Sequence, residues 1–140
     1  ATEIGITEIT PIICDHSERK IINLDRFEKK IQSAMKQSLK SYLPKLNKVT
    51  TFKNFLILQE NNTQQKLIAH CEETSKKTLK SVLKKRGDTT ILIGPEGDFS
   101  SDEINKSLRI GFAPISLGNS RLRTETAAVV ACHSVAFINE

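Results

Sequence analysis

A chain of 140 residues, 38% hydrophobic and 26% charged, is long enough to bury one core and too apolar to stay disordered. Its formal net charge of +5 favours a polyanionic partner. No apolar run approaches the ~20 residues of a membrane helix and no basic-then-apolar leader opens the chain, so a cytoplasmic protein without a membrane partner is expected.

Ile6 to Ile13 reads as extended, mixing β-branched and polar residues around Pro11. Cys14 comes next; with Cys71 and Cys132 it makes an odd, widely spaced set that forms neither a disulfide framework nor a zinc site, so free thiols and no metal are expected. From Asp25 the period changes. Phe27, Ile31, Met35, Leu39 and Tyr42 fall on one helix face, with Asp25 and Glu28 as a capping box and Pro44 as the stop. Phe55 to Leu58 and Lys66 to His70 read as short strands around the turn-like Glu60-Asn61-Asn62-Thr63, and Thr74 to Lys85 as a weak helix. A strand is expected at Thr89 to Ile93. A helix opened by the capping box of Ser100 and Glu103 should end near Gly111, before a last strand at Ala113 to Leu117. The final helix, Glu125 to Phe137, is apolar nearly all round and is expected to be buried.

Strands alternating with helices imply an α/β domain with a largely parallel sheet and helices on both faces, and ligands of such sheets gather beyond the carboxyl ends of the strands. Two stretches stand there. Gly94-Pro95-Glu96-Gly97-Asp98-Phe99-Ser100 succeeds one strand, and Leu117 to Thr126 succeeds another. The first lacks the G-K-[ST] ending of a phosphate loop and its Glu96 and Asp98 would repel phosphate; on its own it also reads as a tight turn before a capped helix. Lysines crowd two segments, Lys29 to Lys48 and Lys76 to Lys85 with Arg86, which fits either solvated faces or polyanion contacts.

Taken together, LIGPEGDFSSDEI and SLGNSRLRTETA resemble the paired signature of the RsmE family, the 16S rRNA (uracil-N3)-methyltransferases of the SPOUT superfamily. ATEIGITEITPIICDHS and SAMKQSLKSYLPKL resemble two further stretches of that family, so the resemblance spans the chain, 1–140, as a SPOUT methyltransferase domain. It implies a parallel sheet closed by a C-terminal trefoil knot, S-adenosylmethionine as cofactor, a homodimer formed through the last helix, and small-subunit (16S) rRNA as partner. Carried over, Ile93, Gly94, Glu96, Gly97, Leu117, Gly118, Leu122, Arg123, Thr124 and Thr126 line the cofactor pocket. Gln37, Lys40 and Arg121 face the RNA, while Arg123 and Glu125 are the catalytic candidates. The chain departs from the family in placing Asp98 where a second glycine is usual, in shifting one arginine to Arg121, and in having Lys40 where arginine is common. Nothing matches the family's N-terminal PUA-like RNA-binding barrel, so a catalytic domain without it is expected. The resemblance leaves two other readings open: a ribose 2′-O-methyltransferase of the same superfamily, whose final motif Leu122 to Thr126 does not match, and a non-catalytic module binding RNA or a metabolite.

The chemistry asked of these residues is specific. Uracil N3 attacks only after losing its proton, so charge appears on O2 and O4 and needs a fixed cationic donor, a task suited to the planar fork of Arg123. Glu125 and Glu96 are candidates to take the proton, although a carboxylate at a helix start is equally expected as a cap.

Overall fold

The computed structural model describes residues 1–140. Its N-terminal part is built from two short parallel pairs. Strands β1 (Glu8–Ile9) and β2 (Ile12–Ile13), separated by Thr10 and Pro11, pair with β3 (Lys45–Leu46) and β4 (Thr50–Thr51) respectively. Between them lies α1 (Leu24–Gln37). Its cap is Asn23, whose side chain accepts from the Arg26 N–H, not the expected pair Asp25 and Glu28. The helix also ends earlier than the apolar spacing predicted. Leu39 adopts a left-handed φ of 57° and is 91% exposed, so Leu39 and Tyr42 leave the helix face well before Pro44. Tyr42 instead donates its hydroxyl to the Gly5 carbonyl at 2.9 Å.

The expected strand at Phe55 to Leu58 is a helix, α2 (Phe52–Gln59). Thr51 caps it by accepting from the Asn54 N–H, and Phe52, Phe55 and Leu56 are buried at the three- and four-residue spacing of one helix face. Ile57 and Leu58 point outward. An apolar run of four cannot by itself distinguish these outcomes; the threonine before Phe52 does.

The main sheet contains β5 (Gln65–Ala69), β6 (Lys77–Thr78), β7 (Thr89–Ile93) and β8 (Ala113–Ser116) in the order β6-β8-β5-β7, every pair parallel. The pleat of β5 divides the core. Ile68 packs with Leu92, Phe99, Ile104 and Phe112 on the side covered by α2, while Leu67 packs with Ile115 and Leu79 on the other. The expected helix at Thr74 to Lys85 shrinks to a single turn, α3 (Leu79–Val82), because Lys77 and Thr78 join the sheet edge and the Gln65 side chain captures the backbone of Val82 and Lys84. Gln65 donates to the Val82 carbonyl at 2.6 Å and accepts from the Lys84 N–H at 3.1 Å.

Helix α4 (Ser101–Arg109) carries the predicted capping box, with Ser100 and Glu103 each accepting from the other's backbone N–H, and Gly111 at φ 97° closes the turn after it. Helix α5 (Thr124–Asn139) packs Ala127 and Ala131 inward, near β7 and α3. It is not buried all round. Val129 is 46% and Phe137 66% exposed, because only the alanine stripe faces the domain. No helix is long and apolar enough to cross a membrane.

Candidate functional site

Three connections leave the carboxyl ends of β5, β7 and β8: residues 70–76, 94–100 and 117–123. Because β8 lies between β5 and β6, the chain leaving it must pass back beyond β5 to reach β7. There Thr124 donates its hydroxyl to the Gly94 carbonyl at 2.8 Å, so the two signature stretches meet.

The loop after β7 is fastened from three directions. Asp98 takes a left-handed φ of 63°, a conformation short polar side chains tolerate, and its carboxylate accepts the Cys71 N–H at 2.9 Å. Asp98 thus ties the loop after β7 to the loop after β5. From the N-terminal segment, His16 donates through Nδ1 to the carbonyls of Gly97 at 2.9 Å and Asp98 at 3.2 Å; two carbonyl acceptors fix the proton on that nitrogen. Asp15 accepts from the Ser100 hydroxyl at 2.6 Å, and its own N–H donates to Glu103 at 3.1 Å. The third tie is the bond from Thr124.

These contacts also bear on the glycines. A Cβ on Gly97 would stand 2.8 Å from the His16 Cβ, which forces a shift, whereas one on Gly94 would stand 3.2 Å from the Phe99 ring, a tight approach that asks the ring to give by a few tenths of an ångström. Gly118 differs. It has φ 133° and a Cβ there would meet nothing within 4 Å, so the loop after β8 borders open space, held in shape by Ser116, whose hydroxyl donates to the Gly118 carbonyl at 2.9 Å.

His70, at the end of β5, is 7% exposed and its Nδ1 has no hydrogen-bond partner. Burial, with the Lys76 ammonium nearby, holds its pKa below the ordinary value, so the ring is neutral near pH 7. Its carbonyl accepts from Lys76 Nζ at 2.7 Å. Cys14 lies beneath the 14–17 turn, and burial assisted by Glu103 pushes its thiol up to about 12. All three cysteines are free, with Cys71 exposed.

Of the residues singled out from the sequence, Ile93, Gly94, Leu117, Gly118, Leu122 and Thr124 gather on the two joined loops, with Ile93, Leu117 and Leu122 half-buried. Glu96 and Gly97 stand exposed at the loop tip. Arg123 is the N-cap position of α5 and Glu125 is in its first turn, both exposed and neither in an ion pair; Thr126 is exposed beside them. Arg121 is likewise exposed and unpaired. Gln37 is the last residue of α1, and Lys40, three residues on, approaches Gly5. Sequence reading overlooked Asp15, His16 and His70. A carboxylate and imidazole before Ser17 carry no periodicity signal, and their partners are more than eighty residues away.

The RNA methyltransferase domain family matches residues 1–136. The chain belongs to that family. It is 37% identical over 135 residues to a ribosomal RNA small subunit methyltransferase E of Buchnera aphidicola, covering 92% of this chain and 52% of the relative. Among solved structures it resembles a probable rRNA-methyltransferase from Porphyromonas gingivalis, with a TM-score of 0.89 at 40% identity over 99% of this chain and 58% of that one. It also resembles a ribosomal RNA small subunit methyltransferase E from Neisseria gonorrhoeae bound to S-adenosyl methionine, with a TM-score of 0.82 at 28% identity over 97% of this chain and 56% of that one. The chain thus spans about half the length of the curated relatives it matches. The bond from Thr124 to Gly94 lies inside the matched stretch of this chain.

Proposed function

We propose that this chain is the catalytic domain of an S-adenosylmethionine-dependent methyltransferase that modifies N3 of a uridine in small-subunit (16S) rRNA. The observation that carries the reading is the joining of the two signature loops by Thr124 and Gly94 beside the open space at Gly118. The relatives' names and the cofactor held by the gonococcal structure support it.

The residues present fit such a cofactor. The open space at Gly118 lets an adenosyl group approach the loop closely, and the exposed carboxylates of Glu96 and Glu125 suit a ligand with sulfonium and ammonium charges. When bound, S-adenosylmethionine supplies an electrophilic methyl group. In our reading Ile93, Gly94, Glu96, Gly97, Leu117, Gly118, Leu122, Arg123, Thr124 and Thr126 form the pocket. Arg123, unpaired at the start of α5, holds the charge that develops on uracil O2 and O4 as N3 loses its proton, and Glu125 in the first turn of the helix receives that proton. Arg121, Gln37 and Lys40 contact the RNA.

The path from β8 back past β5 to Thr124 is the route a trefoil knot would take, and we include the knot in the proposal. The exposed Val129 and Phe137 make α5 the face for a second copy of the chain. We further propose that RNA is gripped jointly with an N-terminal PUA-like RNA-binding region, as in the family, and that the enzyme works in the cytoplasm.

Calorimetric titration with S-adenosylmethionine and its demethylated product, with subsequent mapping of the transferred methyl on small-subunit rRNA, tests the reading. Cofactor binding and a methyl on uracil N3 are expected. Absence of cofactor binding, or a methyl on the ribose 2′ oxygen, overturns it.

A further inference from the structure

The segment running from Lys76 to Arg86 has a charge pattern the cofactor pocket does not require. It contains Lys76, Lys77, Lys80, Lys84, Lys85 and Arg86 and no carboxylate. Neither ion pair of the molecule, Lys45 with Glu8 or Lys106 with Asp102, involves it. Apart from half-buried Lys76, whose ammonium is bound to the His70 carbonyl, all of these cations are exposed.

Their backbone is nevertheless fixed. Leu79 is buried against Leu67 and Ile115, Val82 and Leu83 pack beside it, and the Gln65 side chain clasps Val82 and Lys84. The apolar side chains face the sheet, and the charges therefore project from a rigid support. Lys77 pairs with Ile115 at the carboxyl end of β8, next to the loop of Gly118, whereas Lys84 is tied to Gln65 at the opposite end of β5. The four steps from Gln65 to Ala69 in β5 separate these points by about 13 Å at ~3.3 Å per residue, a length that meets more than one phosphate of a nucleic-acid strand.

Lysine on an edge strand also discourages sheet-to-sheet association, which would explain Lys77 alone. Lys80, Lys84, Lys85 and Arg86 lie off the strand and need another reason. A membrane or protein partner would need apolar anchors among the charges, and here Leu79, Val82 and Leu83 are turned inward.

We propose that this strap is a phosphate-tracking surface that carries the RNA strand along the edge of the sheet to the carboxyl-edge site. The inference rests on the proposed RNA methyltransferase function and adds to it the surface by which this domain itself holds the strand. Each cation that meets a phosphate releases counterions, so affinity should fall with salt in proportion to the number of contacts.

The test is titration of the whole chain with a small-subunit rRNA fragment at several KCl concentrations, comparing wild type with Lys77→Gln/Lys80→Gln/Lys84→Gln/Lys85→Gln and with the control Lys29→Gln/Lys30→Gln on α1. The strap variant should lose at least tenfold in affinity at low salt, and its log–log salt slope should shrink by about 0.7 to 0.9 for each contact removed. The control should change neither, and S-adenosylmethionine affinity should be the same in all three. An unchanged slope in the strap variant, an equal loss in the control, or no RNA binding by wild type overturns the proposal. Failure of wild type to bind S-adenosylmethionine, with the strap effect intact, would sink the methyltransferase reading and leave the RNA surface standing.

Discussion

Thr124 and Gly94 are thirty residues apart and joined by one hydrogen bond of 2.8 Å from a side-chain hydroxyl to a backbone carbonyl. That bond connects the first residue of α5 to the turn after β7, so it couples the packing of the terminal helix to the shape of the acidic loop. Thr124→Val keeps the shape but leaves the carbonyl without this donor. A loss of about 1 to 3 kcal/mol in unfolding free energy is expected by urea titration, with most of it restored in Thr124→Ser. A valine variant as stable as wild type would show that the bond contributes nothing to the fold.

The close contact between Gly97 and His16 predicts a coupled pair. Gly97→Ala drives a methyl to within 2.8 Å of the His16 Cβ, so the N-terminal turn must withdraw and release two carbonyls of the loop. The variant should be destabilised by about 1 to 3 kcal/mol, and adding His16→Gly should cost less than the sum of the single changes. Strict additivity in that cycle would show that the two residues do not meet.

Acid should weaken the fold through His70. Its folded pKa lies below the unfolded value of 6.5, so between the two the unfolded chain binds the proton that the folded chain refuses. Stability is therefore full above 6.5 and declines as pH falls through that window. The negative charges of Asp98 and Glu72 soften the effect, while the charge of the Lys76 ammonium strengthens it. Urea midpoints at about pH 7.5 and 5.5 should differ more in wild type than in His70→Gln. Equal pH dependence in the two proteins would count against a proton-refusing imidazole.

The exposed side of α5 predicts self-association. Val129 and Phe137 lie outward while Ala127 and Ala131 hold the helix to its own domain, so a charge at Phe137 should disturb assembly without opening the core. Wild type should sediment as a dimer at micromolar concentration and Phe137→Asp as a folded monomer. A wild-type monomer would refute the assignment of this face.

Much of this arrangement could be read from residue order. The run Thr89 to Ile93, the box of Ser100 and Glu103, and the stop at Gly111 are local signals, and each is found where expected. The misreadings have more than one cause, a neighbouring cap in the case of α2 and a remote side chain in the case of α3. Gln65 draws the chain after Val82 out of a helix, and Leu39 leaves α1 although its spacing fits the apolar face. Asp98 was visible only as a departure from the family pattern; its bond to Cys71 ties the loop after β7 to the loop after β5. The ties from Asp15 and His16 had no local signal, since the loop they hold lies on the far side of the sequence.

Arg123 provides the most direct test of the proposed chemistry. It occupies the N-cap position of α5 without making a side-chain cap bond, is exposed, and has no carboxylate partner, so the structure gives its charge no other employment. Its proposed work is on uracil oxygens whose charge grows only as N3 loses its proton, which means that the interaction strengthens in the transition state and is weak in the ground state. Arg123→Ala should therefore reduce single-turnover methyl transfer to small-subunit rRNA by about 100-fold or more while changing S-adenosylmethionine affinity less than about threefold. Arg123→Lys should recover only part of the rate, because a single ammonium cannot reproduce the planar fork. Arg121→Ala, on the same loop, should instead weaken RNA binding and leave the rate at saturating RNA nearly unchanged. If Arg123→Ala transfers methyl groups at the wild-type rate, the cationic donor lies elsewhere; if it loses cofactor affinity in the same proportion as rate, Arg123 serves only to hold the cofactor and does not act on the reacting base.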